Sequence, residues 1–374
     1  MTGKQVLITG GAGFVGSHLA DGLLRAGHSV RILDNLTPQV HDSARPAYLS
    51  REVELVVGDI RDRDRVRRAI EDVDVIFHFA AAVGVGQSMY EISRYMEINT
   101  QGTAELLQVL LDSRHSLEKL IVASSMSIYG EGTYHCAACD RSVAPPVRKP
   151  EQLRAGSWEV ACPTCAGALE PRPTREDKPS ELTSFYALSK RDQEEMCLIY
   201  GRTYGVPVAA LRFFNIYGTR QALSNPYTGV AAIFASRMLN NQPPLIFEDG
   251  KQMRDFVSVH DIVRANLLAM ERAEADQAVL NIGSGQPISI RRIAEVLADA
   301  LGKDISPVIT RKYRAGDIRH CYADVSRAQE ILGYVPQVSH EEGFRELAEW
   351  LASQQAEDKA EKAMRELTAY GLSA

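Results

Sequence analysis

The most regular pattern along the chain is an alternation of short apolar runs with longer amphipathic segments. The runs are rich in branched residues, which is typical of strands buried on both faces of a sheet. They span Gln5–Thr9, Ser29–Leu33, Val53–Val57, Val75–Phe79 and Leu120–Ala123. Segments with helical spacing lie between them, so the alternation predicts an α/β fold with a doubly wound parallel sheet.

A glycine-rich turn follows the first predicted strand. Gly10, Gly13 and Gly16 form a GxxGxxG pattern, and an amphipathic segment, Ser17–Ala26, begins directly after it. Such a strand, turn and helix bring backbone N–H groups to a pyrophosphate, as in Rossmann folds. The alternative is a turn that binds nothing. The acidic Asp34 at the end of the second strand favours a dinucleotide, and NAD over NADP, because it would repel a 2′-phosphate.

Tyr186 and Lys190 are four residues apart in a predicted helix, Ser184–Tyr204, and therefore share one helix face. A tyrosine hydroxyl has a pKa of about 10, and a nearby ammonium favours its ionised form. We therefore expect Lys190 to lower the pKa of Tyr186 and to hold the nicotinamide ribose. A surface Tyr/Lys pair is the alternative. It is disfavoured because the Leu120–Ala123 strand leads into Ser-Ser-Met-Ser-Ile-Tyr-Gly, residues 124–130.

Four cysteines form two CxxC pairs with 22 residues between them: Cys136, Cys139, Cys162 and Cys165. This spacing is close to that of zinc ribbons, and a site closed by four thiolates would hold a structural zinc ion. Two disulfides, four idle thiols or a redox-active pair are the alternatives. The surrounding segment is rich in proline, and Trp158 is its expected apolar anchor. A module here could form a wall or lid over the active site.

A series of motifs resembles one family in order and over nearly the whole chain. They read GGAGFVG, LDN, GDI, HFAA, SSMSIYG, YALSK, RFFNIYG, RDFVSVHD, NIGSG and RAGD. The chain thus resembles extended short-chain dehydrogenases/reductases of the NAD-dependent nucleotide-sugar epimerase/dehydratase group. Its four cysteines and the stretch Pro173–Pro179 resemble members that act as dTDP-L-rhamnose 4-epimerases.

The resemblance implies roles for particular residues. Tyr186 would be the catalytic base, Lys190 its partner, and Ser125 the hydrogen-bonding group at the reacting hydroxyl. Tightly bound NAD would be contacted by Gly10, Gly13, Phe14, Val15, Asp34, Asn35, Asp59, Ile60, Phe79, Ala80, Ala81, Asn99, Tyr186 and Lys190. The sugar nucleotide would be contacted by Ser125, Ser127, Tyr186, Asn215, Val230, Arg254 and Arg314, and its diphosphate by the two arginines. Surface salt bridges are the alternative for these arginines.

The residues after Ser124 separate the reactions of this family. Its 4,6-dehydratases carry Thr-Asp-Glu where this chain has Ser125-Met126-Ser127, and a thioether and a hydroxyl cannot replace two carboxyls as acid and base. Dehydration is therefore disfavoured, as is 4-keto reduction, which commonly uses NADPH. We expect a 4-epimerase acting on dTDP-L-rhamnose or a similar dTDP-6-deoxyhexose, with a UDP-hexose or UDP-uronate 4-epimerase as the alternative. A non-catalytic NAD-binding module would lack Tyr186, Lys190 or Ser125.

The domain plan follows from these patterns. We expect a Rossmann domain over residues 1–212 with the cysteine module as an insertion at 131–179, and a smaller substrate-binding domain over 213–350, from which 279–282 returns to the sheet. Residues 351–374 are charged, which predicts a solvated helix or a fraying tail.

Composition narrows the partners of this chain of 374 residues. The net charge of −6 offers no basic field for nucleic acid, and no apolar run reaches the length of a membrane span. The first strand begins at residue 5, so we expect no signal peptide and a cytoplasmic enzyme. The helices predicted over 92–113 and 184–204 resemble those of the family's dimer interface, so we expect a homodimer, with packing inside one subunit as the alternative.

Overall fold

The computed structural model describes residues 3–41, 44–113, 115–225, 227, 229–314 and 316–373. Its strands are, in chain order, β1 Gln5–Thr9, β2 Ser29–Asp34, β3 Glu54–Val57, β4 Val75–His78, β5 Lys119–Ser125, β6 Thr133–Cys136, β7 Arg141–Val143, β8 Glu170–Arg172, β9 Val208–Phe213, β10 Asn215–Tyr217, β11 Leu245–Ile246, β12 Met253–Ser258, β13 Val279–Ile282, β14 Pro287–Ser289, β15 Val308–Ile309 and β16 His320–Cys321. Among the described residues, no helix combines the length and apolar character needed to cross a bilayer.

The helices alternate with the strands of the first half and continue into the second. They are α1 Phe14–Arg25, α2 Pro38–His41, α3 Arg63–Ala69, α4 Val85–Ser88, α5 Ile92–Tyr95, α6 Gly102–Asp112, α7 Pro150–Arg154, α8 Phe185–Tyr204, α9 Val230–Leu239, α10 Val259–Glu271, α11 Ile290–Ala300, α12 Ser326–Leu332, α13 His340–Leu351 and α14 Ala360–Ala369. A π-helical turn, Met96–Gln101, joins α5 to α6. The single helix expected over 92–113 therefore contains a bulge, a feature that often marks functional sites.

The central layer is a sheet of seven strands in the order β13-β9-β5-β4-β1-β2-β3. Every neighbouring pair in it is parallel, with Ile8 opposite both Ile32 and Phe77. The doubly wound parallel sheet expected from the apolar runs is confirmed. Because the order reverses at β1, the carboxyl ends of β1 and β4 border a crevice, where ligands bind in such sheets.

Helices cover both faces of this sheet and close a hydrophobic core on each. One core joins β-strand residues such as Ile8 and Phe77 to α1, α10 and α12. The other joins residues such as Leu7 and Ile76 to α3, α6 and α8. Neighbouring side chains of a strand alternate between the two cores, which explains why these strands are apolar on both faces.

The second half of the chain builds a smaller layer beside the carboxyl edge of the sheet. β12 pairs in parallel with β10 and β16 and antiparallel with β14. A third core, containing Phe234, Phe256 and Phe344, packs these strands against α9, α11 and α13. β13 leaves this layer and pairs with β9 in the large sheet. The crevice therefore lies between the large sheet and the smaller layer.

The segment between β5 and α8 contains a small antiparallel sheet in the order β7-β6-β8. Its core consists of Cys136, Val143 and Cys162, with Cys139 and Leu169 packed against them. Trp158, the expected anchor, is not part of this core. The module therefore has little apolar area to bury on its own.

The end of the chain differs from the expected solvated tail. In α14, Ala363 and Leu367 are four residues apart and both buried, while Tyr370 stacks on Tyr90 with ring centroids 4.8 Å apart. Glu366 accepts hydrogen bonds from the hydroxyls of Tyr90 and Tyr227. The charged composition concealed this apolar spacing, and α14 docks on the body of the protein.

Candidate active site

A cleft of about 710 Å³ opens at the carboxyl edge of the large sheet, between it and the smaller layer. All but one of the expected contact residues line it: Gly10, Gly13, Phe14, Val15, Asp34, Asn35, Asp59, Ile60, Phe79, Ala80, Ala81, Ser125, Ser127, Tyr186, Lys190, Asn215, Val230, Arg254 and Arg314. The exception is Asn99. The fold thus brings together side chains that are far apart in sequence.

The glycine loop between β1 and α1 forms the floor of one end of the cleft. Gly10 has φ +69°, and a Cβ there would lie 2.8 Å from the Ala80 nitrogen, so neither the conformation nor the space admits a side chain. Gly13 is the N-cap of α1 and makes no side-chain capping bond. The N-terminus of α1 therefore presents free N–H groups to the cleft, as a pyrophosphate requires.

Asp34 and Asp59 stand at the carboxyl ends of β2 and β3. The Asp34 carboxylate accepts from the backbone nitrogens of Ala12 (3.0 Å) and Leu36 (2.9 Å), so it braces the glycine loop. Asp59 accepts from the Asn35 amide at 3.1 Å. Hydrogen bonds from Arg61 lower the pKa of Asp59 to about 2, so this carboxylate carries its charge at the lining of the cleft.

A chain of buried polar side chains runs beneath the cleft from β1 to α8. The Thr9 hydroxyl accepts from the Phe79 and Ala80 nitrogens and lies 2.8 Å from His78 Nδ1, while His78 Nε2 lies 2.8 Å from the Thr103 hydroxyl. Thr103 in turn donates to the Asn99 carbonyl. These roles assign Nδ1 as acceptor and Nε2–H as donor, so His78 is neutral. Burial, with the charge of Lys190, lowers its pKa to about 3.

Lys190 connects to this buried chain through Gln193. Its ammonium donates to Gln193 Oε1 at 2.8 Å, and the Gln193 amide donates to the Thr103 hydroxyl at 2.9 Å. Burial lowers the pKa of Lys190 to about 8, so the ammonium remains charged at neutral pH. Gln193 was not expected from the sequence, although its spacing of three from Lys190 places both on one helix face.

The Tyr186 phenol is half-buried and stands edge-on to Tyr95, with ring centroids 6.4 Å apart. Burial raises its pKa to about 12, and a hydrogen bond with the Ser125 side chain opposes that rise. The expectation that Lys190 lowers this pKa is not met: the opposing group is Ser125, and the Lys190 ammonium is engaged by Gln193. The Tyr186 phenol and the Ser125 side chain therefore lie within reach of each other in the cleft.

The polar atoms of the cleft that are buried without a hydrogen-bond partner within the described part of the chain include Ser127 Oγ and Asn215 Oδ1. Buried polar atoms are rarely left unpaired in native structures. A ligand rich in hydroxyl groups could satisfy both.

Arg254 and Arg314 line the cleft on the side of the smaller layer. Arg254 donates to the Met253, Ile318 and Arg319 carbonyls at 2.7–2.9 Å. Arg314 donates to Asp317 at 2.8 Å and lies over the Phe247 ring. Both guanidiniums are thus held in place while facing a space where an anion could bind.

Asn99 lies behind the cleft. Its side chain exchanges two hydrogen bonds with the Ala82 backbone, at 2.7 and 3.0 Å, and donates to the Ser189 hydroxyl at 2.9 Å. Asn99, which lies in the π-helical turn, therefore holds the loop after β4 in place. The sequence also missed one wall of the cleft, to which α14 contributes Ala360, Ala363, Met364 and Leu367.

The four cysteines lie outside this cleft, and no residue of the 131–179 insertion is among its lining residues in the described chain. Their sulfur atoms all lie within 4.8 Å of one another, with Cys136 and Cys165 at 3.5 Å and Cys139 and Cys162 at 3.9 Å. These separations exclude disulfides, whose sulfurs are about 2.05 Å apart. The expectation of a wall or lid over the active site is not met.

Comparison with known proteins identifies what this arrangement resembles. A profile described as the NAD-dependent epimerase/dehydratase family matches residues 6–150 and 158–283. A dTDP-L-rhamnose 4-epimerase from Burkholderia thailandensis is 34% identical over 94% of this chain and 96% of that protein. A UDP-glucose 4-epimerase from Thermotoga maritima, solved with UDP-glucose, is 32% identical with a TM-score of 0.75, over 93% of this chain and 98% of that one. The UDP-glucose 4-epimerase from Thermus thermophilus, solved with NAD, is 28% identical with a TM-score of 0.74, over 93% and 99%.

Replacing the buried histidine tests the network beneath the cleft. The pKa of His78 is about 3 in the folded protein and about 6.5 when unfolded, so the unfolded state binds the proton first. Its contribution to stability is complete above pH 6.5 and falls as the pH drops towards 3. We expect the free energy of unfolding to fall less steeply with decreasing pH in His78→Asn than in the wild type, by up to about 1.4 kcal/mol per pH unit. Urea unfolding between about pH 6 and about pH 4 measures this difference.

An internal control comes from His18, whose pKa burial lowers to about 4. It remains in both proteins and contributes equally to both curves. Parallel acid limbs for wild type and His78→Asn would contradict the assignment of a buried neutral imidazole.

Proposed function

The chain belongs to the NAD-dependent epimerase/dehydratase family, as its motifs predicted, and we propose that it is a nucleotide-sugar 4-epimerase acting on a dTDP-6-deoxyhexose such as dTDP-L-rhamnose. The single observation that carries this proposal is the cleft. It joins a glycine loop for the dinucleotide, the Tyr186–Ser125 pair and two arginines for a diphosphate. The glycine loop, Asp34 and Asp59 would hold NAD there, and the cofactor would supply the reversible hydride acceptor for C4 of the sugar.

The residues of the cleft supply the proton chemistry. Ser125 and Tyr186 bind the C4 hydroxyl, and Tyr186 takes its proton as the carbinol becomes a ketone. The phenol has a pKa of about 12, so it rests in its protonated form and needs nearby positive charge to act as a base. Lys190 is charged at neutral pH but is engaged by Gln193, so the oxidised nicotinamide of bound NAD would supply that positive charge. After the flat 4-keto sugar turns over, Tyr186 returns the proton.

The side chains that follow Ser125 favour inversion at C4 over elimination of water. Met126 and Ser127 line the cleft there and provide no carboxyl group to move protons at C5 or C6. The unpaired Ser127 Oγ and Asn215 Oδ1 suit sugar hydroxyls or the adjoining phosphate. Asp34 at the ribose position favours NAD, which an epimerase regenerates in each cycle.

The proposed sugar and nucleotide base rest on similarity to a known relative and on the resemblance of the four cysteines to those of dTDP-L-rhamnose 4-epimerases. The dTDP-L-rhamnose 4-epimerase of Burkholderia thailandensis is similar along almost its entire length. The alternative is a UDP-sugar substrate, favoured by the UDP-glucose 4-epimerase of Thermotoga maritima. Both substrates would present the same diphosphate to Arg254 and Arg314.

The four cysteines would hold a structural zinc ion. Four thiols gathered within 4.8 Å, with two of their separations at 3.5 and 3.9 Å, match the sulfur spacing of a tetrahedron with Zn–S bonds of about 2.3 Å. A closed set of four thiolates leaves no position for substrate, so the metal would stabilise the insertion. The small core of this module makes such a contribution necessary.

We also propose a homodimer through α5–α6 and α8. Large apolar side chains are exposed on these helices: Ile92, Leu111, Ile199 and Tyr204. A second copy of the chain would cover them, as the family resemblance suggests.

The test of the proposed function is turnover. We expect the purified protein, offered dTDP- and UDP-sugars without added reductant, to invert C4 of dTDP-L-rhamnose, followed by NMR. Tyr186→Phe should lower kcat by at least about 10²-fold because the proton acceptor is lost, and the protein should retain its NAD. Tyr204→Phe, at the other end of the same helix, is the control and should match wild type, because it keeps the apolar ring that the proposed dimer would cover. Full activity of Tyr186→Phe, or no inversion of any sugar, would refute the proposal.

Metal content tests the cysteine site. Native mass spectrometry should find about one zinc ion per chain, and Cys162→Ser should lose it and lower the melting temperature. Cys197→Ser is the control, since that thiol is buried in α8, far along the chain from the cluster. A metal-free wild-type protein of unchanged stability would contradict the assignment.

A further inference from the structure

The insertion does not reach the cleft, yet it is bonded to the segment that holds the cleft arginines. We call residues 317–319 the anchor segment. The Ile318 and Arg319 carbonyls accept from Arg254, and the Asp317 side chain accepts from Arg314. Both arginines of the proposed diphosphate site therefore depend on the position of one short piece of backbone.

Arg319 fixes the anchor segment from its buried side. The guanidinium is fully buried and uses all five N–H donors on three carboxylates, those of Glu159, Glu248 and Asp249. The Arg319 backbone nitrogen donates to Glu131 at 2.6 Å. Glu131 and Glu159 belong to the insertion, whereas Glu248 and Asp249 belong to the smaller layer, so this one residue joins the two.

Arg148 makes a second connection from the insertion. Its side chain is 1% exposed and donates to Glu248 at 2.8 Å and to the Asp317 carbonyl at 2.9 Å. It also donates to the Trp158 carbonyl at 3.0 Å, which ties it to its own module. Displacement of the insertion would therefore move the first residue of the anchor segment as well as the last.

From this arrangement we propose that Arg319 is a positioning residue, which couples the four-cysteine insertion to Arg254 and Arg314 and so sets the affinity for the diphosphate of the nucleotide sugar. The proposal rests on the proposed function, which gives these arginines their ligand. It assigns the insertion a role in substrate affinity although it contributes no atom to the cleft.

The physical basis is that buried ion pairs allow few alternative arrangements. A guanidinium whose five donors are all engaged by fixed carboxylates cannot rotate or shift without leaving charges unpaired in a poorly solvated space. The backbone carbonyl of Arg319, one of the acceptors for Arg254, is therefore held in place together with the guanidinium. The insertion thereby preorganises the diphosphate site before substrate arrives, which lowers the cost of binding.

Two glutamates of the insertion provide a matched test. Glu159 and Glu170 have side chains 63% and 62% exposed, but Glu159 pairs with Arg319 and Glu170 with the surface residue Arg172. We expect Glu159→Gln in the full-length, zinc-loaded protein to weaken binding of dTDP or UDP by about 3- to 30-fold, measured by titration calorimetry. KM should rise by a similar factor, kcat should stay within about twofold, and NAD and zinc contents should be unchanged.

Glu170→Gln should behave as wild type. Arg319→Lys keeps the charge but not the five-donor fork, so a folded variant should lose at least as much affinity as Glu159→Gln. Wild-type affinity in Glu159→Gln, equal losses in both glutamate variants, or a loss of kcat in Glu159→Gln with KM unchanged would each overturn the inference. If the wild type binds neither nucleotide and inverts no sugar, the proposed function itself fails.

Discussion

The burial of one ammonium group is the constraint on which the cleft depends. Lys190 is 4% exposed, and a charge in that position needs polar partners that are themselves satisfied. Gln193, Thr103, His78 and Thr9 supply them in one connected chain, and the same chain holds the loop after β4 through the Phe79 and Ala80 nitrogens. The ammonium that shares a helix face with Tyr186 and the backbone after β4 that lines the cleft are therefore positioned by one network.

The sequence predicted the sheet because its physical signals are local. Each central strand is mostly apolar on both of its faces, and Gly10 must lack a side chain because Ala80 lies against it. The residues that motif resemblance pointed to then all line the cleft, Asn99 excepted. The buried network could not be predicted in the same way, since Gln193 and Thr103 are ordinary polar residues until the fold places them beside Lys190 and His78.

Two other departures have physical causes. The charges in α14 concealed Ala363 and Leu367, whose spacing is the signal that could have indicated docking. The insertion was expected to form a wall or lid because it joins the segments of Tyr129 and Tyr186, both of them near the active site. Its contacts instead run through Arg148 and Arg319, which both pair with the Glu248 carboxylate, 100 and 71 residues away along the chain.

In the proposed mechanism, Tyr186 removes and returns a proton while the C4 hydrogen itself leaves and returns within the same cleft. The direct measurement is an isotope experiment on whichever dTDP- or UDP-sugar is turned over, labelled with deuterium at C4 and followed by NMR in ordinary water. If the C4 hydrogen leaves and returns without exchange with water, both epimers will keep deuterium at C4 throughout equilibration. Replacement of the label by solvent hydrogen as inversion proceeds would contradict it.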